Sequence, residues 1–442
     1  MPIDLTACDN ASRLLIEAEL RVAPGTGGRF QPTGFPDLGP ALYKGIHHDK
    51  GKPQTVNMLL VESVQSIANR LEEVCLQGEG YEPNCQGIPY VRVLDGNRGN
   101  VFLTSSVREP HRLGSPYILG TKNNWTNYKI EFGRSLASNK NKPVHIWTMV
   151  PEIFNRDPGC VLHGVFLDDI DGRIRLPRLV SGCVEAMDPM TANSGGVYRG
   201  EVTASDNIPY SRQEFTSPTI KAMLVIHLGT LRGHNLDEPK RRFLVLWALY
   251  KIDRFLTGYL HLRTACEFEV ASISTSLDGT AWKWNSEPDP DIGTWPGRDE
   301  IRLAFDAARD ACFPRVDSEG QPIVRVVDVV FKEEVIVEVT LPDGVDGASF
   351  NLAGFEGRVR VRPAEPAKGK KKASPTAIVA EGEIAEGEDA LLNQQNPPTQ
   401  LIDDQEQDNP NHKHVNDLIK KWKKKQEEVR KKAGTDGESE EQ

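Results

Sequence analysis

The sequence predicts an α+β fold, an antiparallel sheet carrying two helices on one face. Three observations predict it. Short segments in which apolar and charged residues interleave recur along the first 275 residues. Two longer segments, near residues 57–75 and 236–256, carry apolar residues at helical spacing. Their order along the chain is strand, helix, strands, strand, helix, strand. That is βαββαβ with large insertions, the ferredoxin-like or RRM-like plan.

Ser12–Val22 (SRLLIEAELRV) opens the series as a strand, and a glycine- and proline-rich loop follows it. The spacing of Leu60, Val64, Ile67, Leu71 and Val74 predicts a helix from Asn57 to Cys75. Ile88–Leu94 and Val101–Leu103 read as short strands about the turn Asp95-Gly96-Asn97. Thr104–Lys142 is loop-rich; Val144–Val150, Val161–Phe166 and Arg173–Val180 resume strand character. Met187–Pro218 is a long insertion of Gly, Ser, Asn and Pro, of the length that functional loops have. Ile220–Leu228 is a strand, and Leu236–Leu256 a helix with Asn235 and Glu238 placed as a capping box. Tyr259–Ser272 reads as one long final strand, which closes a first domain at residues 1–275.

A small α/β appendage follows at 276–362, with a helix at Arg298–Cys312 and strands at Ile323–Phe331, Glu334–Leu341 and Gly357–Arg362. Residues 363–413 read as a disordered linker, a Lys368–Lys372 basic cluster followed by acidic, Gln/Asn/Pro-rich sequence. His414–Lys432 is a basic amphipathic helix with Val415, Leu418, Ile419, Trp422 and Val429 as its stripe.

The formal charge of −10 is spread over the chain, −6 in the first 362 residues and −4 beyond them. A nucleic-acid site would therefore be a local basic stripe on an acidic body, which suffices because phosphate contacts depend on the local patch. The seven cysteines form no C-x-x-C pair, so the reading is reduced thiols, no structural zinc and no cofactor. No apolar run approaches the ~20 residues of a membrane span and no secretory signal is visible, so the expected compartment is the cytoplasm, with no membrane partner.

Glycine lets backbone N–H groups approach a ligand, and Arg29 and Gln31 stand beside Gly25-Thr26-Gly27-Gly28. That loop lacks the Lys-Ser/Thr pair of a nucleotide P-loop, leaving a connecting loop or a phosphate cradle for RNA. An apolar stripe is all a helix needs to fold, so Gln65, Asn69 and Arg70 are free to serve another purpose. Ser194-Gly195-Gly196-Val197-Tyr198-Arg199 combines pliant backbone, an aromatic and a cation, the set needed to stack a base and hold its phosphate; a plain surface loop has the same composition. His261 and Arg263 alternate with Leu260 and Leu262 and so share one sheet face, solvated or RNA-facing. His47 and His48 are adjacent and diverge, which makes a poor metal pair, and Asp37 reads as a turn-former. His111 lies between Arg108 and Arg112, which fits phosphate contact as well as acid/base work. No nucleophile–base arrangement can be read, so catalysis is not expected.

Several motifs together resemble one family. They are Arg29–Gly39 (RFQPTGFPDLG), Leu59–Ser63 with Gln65-Ser66 and Ala68–Glu72, and Leu103–Ser106. They continue with His111-Arg112, Ser115–Leu119, Leu162–Phe166, Arg173–Arg178, Ser194–Val197 and Leu262–Cys266. Over residues 10–275 the chain resembles the RAMP-superfamily backbone subunit of the type I-G (formerly I-U) CRISPR surveillance complex, the "Cas seven" family. The resemblance implies an RRM-like palm with a protruding thumb, polymerised along a CRISPR RNA in contact with other complex subunits. Target DNA would pair with the displayed guide. It places the thumb at Met187–Pro218 and the palm contacts at Arg29, Gln31, Gln65, Asn69 and Arg112. The same resemblance implies a non-enzymatic subunit. The alternative is a RAMP endoribonuclease maturing the guide, with His111 as general base.

Overall fold

The computed structural model describes residues 3–340 and 358–362, apart from 24–27, 36–37, 50–51, 121–123, 126–127, 138–140, 142, 200–206, 259, 285–294, 315, 317–318, 320, 322, 324 and 334–335. By their contacts the described residues belong to one unit, 1–340 with 351–362; the other, 341–350 with 363–442, lies outside them. The expected linker at 363–413 and basic helix at 414–432 therefore also lie outside the described residues.

Strand β1 (Leu14–Val22) buries Leu14, Ile16, Ala18 and Leu20 and turns Glu17, Glu19 and Arg21 outward, the period of two expected of it. β2 (Leu42–Asp49) and β3 (Lys52–Glu62) form a hairpin. The helix expected from Asn57 begins only with α1 (Val64–Glu73). Residues 57–62 are strand, because Leu59 and Val61 bury at alternate positions while Ser63 caps the helix by accepting from the Ser66 N–H at 3.3 Å.

β4 (Tyr90–Asp95) and β5 (Val101–Ser105) pair about a turn in which the Asp95 side chain accepts from the Asn97 N–H at 2.9 Å. Val144–Val150, expected as strand, lies mostly in helix α2 (Ile146–Arg156), which buries Met149, Val150, Ile153 and Phe154 on one side. Val161–Phe166 divides between helix α3 (Pro158–His163) and a two-residue strand, with Gly164 at φ 81° as the break. β6 (Val180–Met187) follows.

The 187–218 insertion is a hairpin of β7 (Met190–Arg199) and β8 (Asn207–Thr216). After β9 (Thr219–Ile226) comes α4 (Glu238–Gly258), buried along most of its length. Its start is held by Asp237, which accepts from the Lys240 N–H at 3.1 Å; the expected cap, Asn235, sits earlier in left-handed backbone at φ 52°. The expected long strand at 259–272 is a hairpin, β10 (His261–Arg263) and β11 (Cys266–Leu277), turned at Ala265 with φ 57°. α5 (Arg298–Cys312) matches its expected bounds. β12 (Val326–Glu333), β13 (Ile336–Thr340) and β14 (Arg358–Arg362) follow.

The main sheet runs β10–β11–β1–β9–β6–β3–β2, every neighbouring pair antiparallel. α1 packs on β6 and α4, and α4 packs on β11 and α5. Lys251 is buried in α4 because its ammonium donates to the Leu71 carbonyl at 3.1 Å and lies 4.4 Å from the Trp247 ring centre. Tyr250 stacks on Phe305 of α5 at 4.5 Å. β4 and β5 belong to a second sheet, in which β12 runs parallel to β4 and Arg92 forks Asp328 at 2.7 and 2.8 Å. β13 and β14 form a separate parallel pair. Among the described residues no helix is long and apolar enough to cross a membrane.

Candidate functional site

Residues 28–33 cross one end of the main sheet and bind three elements together. Gly28 turns in at φ 58°. Phe30 and Phe215 exchange both backbone hydrogen bonds at 2.9 Å, which ties the segment to the base of the β7–β8 hairpin. The Gln31 N–H donates to the Ala265 carbonyl at 2.8 Å, and the Thr33 N–H to the Val61 carbonyl at 2.9 Å. The Phe30 side chain is fully buried, edge-on to Phe268 at 5.6 Å.

Two buried carboxylates flank this segment, and each holds arginines. Glu62 is paired by Arg263, whose other terminal nitrogen donates to the carbonyls of Gln31 at 3.1 Å and Val61 at 3.0 Å. Arg70 stands 3.6 Å from Glu62 and donates to the Leu262 carbonyl. Glu214 is paired by Arg212 at 2.5 Å and approached by Arg29 at 3.8 Å. Burying a carboxylate requires such partners. Here four guanidinium groups meet two carboxylates, so the cluster keeps surplus positive charge. The Nε atoms of Arg70 and Arg212 are buried without a hydrogen-bond partner, and the Arg29 side chain is 57 % exposed. An anion with several acceptor oxygens is the complement of that arrangement.

Of the residues expected from sequence, Arg29, Gln31, Arg70 and Arg263 come together here. Gln65 and Asn69 are exposed one turn apart on α1, which starts directly after Glu62 and Ser63. Arg112 lies elsewhere, in the interior. Its guanidinium forks Glu72 at 2.6 and 2.5 Å and donates to the Gly164 carbonyl at 3.0 Å, so it has no free face for a phosphate.

Ser194, Gly195 and Gly196 pair with Arg212, Ser211 and Tyr210 across the hairpin. Pliant backbone is not what the glycines supply. A Cβ on Gly196 would lie 2.8 Å from the hydroxyl of Tyr210, so this glycine makes room for a tyrosine side chain that remains half exposed, while one on Gly195 would lie 2.5 Å from the Tyr210 carbonyl, a close approach of the facing backbone. Tyr198 and Arg199 end β7; their side chains, Asp37 and residues 25–27 lie outside the described residues. Sequence reasoning missed Arg212 and Glu214 as members. Their signal was the i, i+2 spacing of Arg212 and Glu214, which puts both on one face of a strand.

Two other polar groupings sit inside the fold. The ligand atoms of Cys75, Glu82 and Cys85 lie within 4.8 Å of one another. Glu82 is already engaged by Tyr250 at 2.7 Å and Arg254 at 3.0 Å, and Lys251 adds positive charge beside the thiols, which opposes a bound cation. Asp157 caps α3, accepting from the Gly159 N–H at 2.8 Å and the Ser106 hydroxyl at 2.6 Å. Burial pushes its carboxyl up to about 6 against those bonds.

No curated protein matches the chain. Its structure has a likeness to a chain described as "CRISPR RNA-guided surveillance complex, pre-nicking", with 12% identity and a TM-score of 0.31 over 60% of this chain and 75% of that one. Likeness at that level carries no functional argument. Residues 14–190, which hold Arg29, Gln31, Glu62 and Arg70 but not the β8 or β10 arginines, match the family model "CRISPR-associated protein GSU0053 (Cas_GSU0053)". The similarity that stands is to a CRISPR-associated family, across those residues.

Proposed function

We propose that this chain is a guide-RNA-binding backbone subunit of a CRISPR surveillance complex of the type I-G kind. In this reading β11–β1–β9–β6, with α1 and α4, is an RRM-like palm, and the β7–β8 hairpin is the thumb. Copies of the chain line up along the CRISPR RNA in the cytoplasm with the other subunits, and the guide bases are displayed to target DNA. The subunit itself performs no cleavage. The strand order supports the palm, since it is the 4-1-3-2 order of a βαββαβ chain. The family match over residues 14–190 supports the CRISPR assignment.

The observation that carries the proposal is the arginine cluster about Glu62 and Glu214. It sits where the first loop, the hairpin base and the start of α1 meet, and its surplus charge suits a phosphodiester. Its buried carboxylates hold the guanidinium groups in place before RNA arrives, so less ordering remains at binding. Arg29 is the residue to test, because Arg212 still pairs Glu214 when Arg29 is truncated. Arg29→Ala is expected to weaken assembly on CRISPR RNA and lower the salt slope of binding by about 0.7. Sizing by native mass spectrometry, with and without CRISPR RNA, reads the assembly. Absence of RNA-dependent oligomers, with or without the partner subunits, overturns the proposal.

A further inference from the structure

A second cationic site lies at the opposite end of β1, roughly 26 Å of strand away from the arginine cluster. The turn Thr6–Asp9, the short helix Leu228–Arg232 and the first two turns of α4 enclose a cavity of about 260 Å³. Arg232, Arg241 and Arg242 line it, over an apolar floor that includes Leu231 and Val245.

These arginines are held differently from those of the first cluster. Arg232 donates to the Ala11 carbonyl at 2.6 Å, Arg241 to the Leu236 carbonyl at 2.5 Å, and Arg242 to the Ile3 carbonyl at 3.0 Å. A carbonyl fixes a guanidinium in place without neutralising it, whereas a carboxylate does both. Among the described residues none of the three has a carboxylate within 4 Å, although Asp9 and Glu238 also line the cavity and Asp4 and Asp237, both exposed, lie close enough to feel the charge of Arg242 and Arg241. Three forked cations from two separate elements suit a phosphate monoester, whose terminal oxygens can each take a donor. A carboxylate has only two oxygens to offer. The apolar floor and the volume, near the lower end of small-ligand pockets, leave room for a base-sized body beside the phosphate.

We infer that the Arg232–Arg241–Arg242 cavity binds the phosphate of a nucleoside monophosphate group, either a free mononucleotide or the 5′-phosphorylated end of an RNA. The inference does not rest on the proposed function, since it uses none of the same residues.

The test is calorimetric titration of the full chain with AMP, adenosine and inorganic phosphate. AMP is expected to saturate one site at least tenfold more tightly than adenosine. Arg241→Gln with Arg242→Gln weakens AMP at least tenfold in a folded protein, and Arg98→Gln, at an exposed position outside both clusters, leaves it unchanged. Arg232→Gln, at an exposed position, gives at least a threefold loss and serves if the double variant does not fold. Competition then names the source. Displacement of AMP by a 5′-phosphorylated oligoribonucleotide but not by its 5′-hydroxyl form assigns the RNA end; displacement by neither assigns the free nucleotide. No saturable AMP binding, or AMP binding unchanged in the folded arginine variants, overturns the inference.

Discussion

Truncating Arg112 separates a structural arginine from an RNA-binding one. Its guanidinium is buried, forks Glu72 with two charge-assisted bonds and donates a third to the Gly164 carbonyl. Arg112→Ala leaves an anion and a carbonyl without their donors. Removing one partner of a buried ion pair costs about 3–5 kcal/mol. Glu72 is 20 % exposed and recovers some hydration, which puts the pair near the low end, and the orphaned carbonyl adds about 1 kcal/mol. A total near 4 kcal/mol follows. At about 2 °C per kcal/mol for a fold of this size, Tm should fall by about 8 °C. Glu72→Gln in the same background should recover part of the loss, because it removes the uncompensated charge. Differential scanning fluorimetry reads the stability, and RNA titration over a salt series reads the binding. The expected result is a large fall in Tm with the salt slope unchanged. An unchanged Tm together with a lower slope would refute the reasoning and return Arg112 to the RNA surface.

Asp157 should make stability depend on pH in a window its position defines. Its folded carboxyl stands at about 6, above an unfolded value near 3.9, so the folded chain keeps a proton that the unfolded chain has lost between those values. Its contribution is full below pH ~4 and is lost as pH rises to ~6, by up to about 3 kcal/mol. Asp157→Asn should flatten that part of the urea-midpoint profile, and an equal slope in both proteins would rule the group out. Gly164→Ala should cost at least about 2 kcal/mol, because φ is 81° and the new Cβ would lie 2.8 Å from the Leu176 carbonyl oxygen; a Tm shift under 1 °C would contradict it. Phe30→Ala should cost about 3–5 kcal/mol and lower hydrogen-exchange protection in the 190–216 hairpin, whose base it anchors. Protection unchanged there would show that the hairpin is held by other contacts.

The elements legible in the sequence are those whose own pattern decides them. β1 alternates cleanly, and α5 has acidic residues in its first turn and a sharp end. Leu59–Val61 misled because a strand runs into a helix with only Ser63 between them, so Leu60 falls on a helical stripe four residues before the helix begins at Val64. Val144–Val150 misled because β-branched and aromatic residues, with Pro151 after them, look like a strand and its end. Packing of Met149, Val150, Ile153 and Phe154 overrides that local preference. At the site, Arg29, Gln31, Arg70 and Arg263 were visible as polar residues at odd places. Their carboxylate partnerships were not, since contacts such as Phe30 with Phe215 join residues 185 positions apart in the chain. The same blindness to distant partners put Arg112 on the surface.

The parallel pairing of β12 with β4 has a consequence for synthesis. The two strands are separated by about 230 residues, and at ~5–20 residues per second the ribosome needs roughly 10–50 s to supply the second after the first. Until then the β4–β5 hairpin presents an open edge on the nascent chain, with Val93 and Leu94 at its centre. Closure of the second sheet is therefore a late event in the chain's production, and truncated or stalled chains ending before residue 326 should be the ones that chaperones capture.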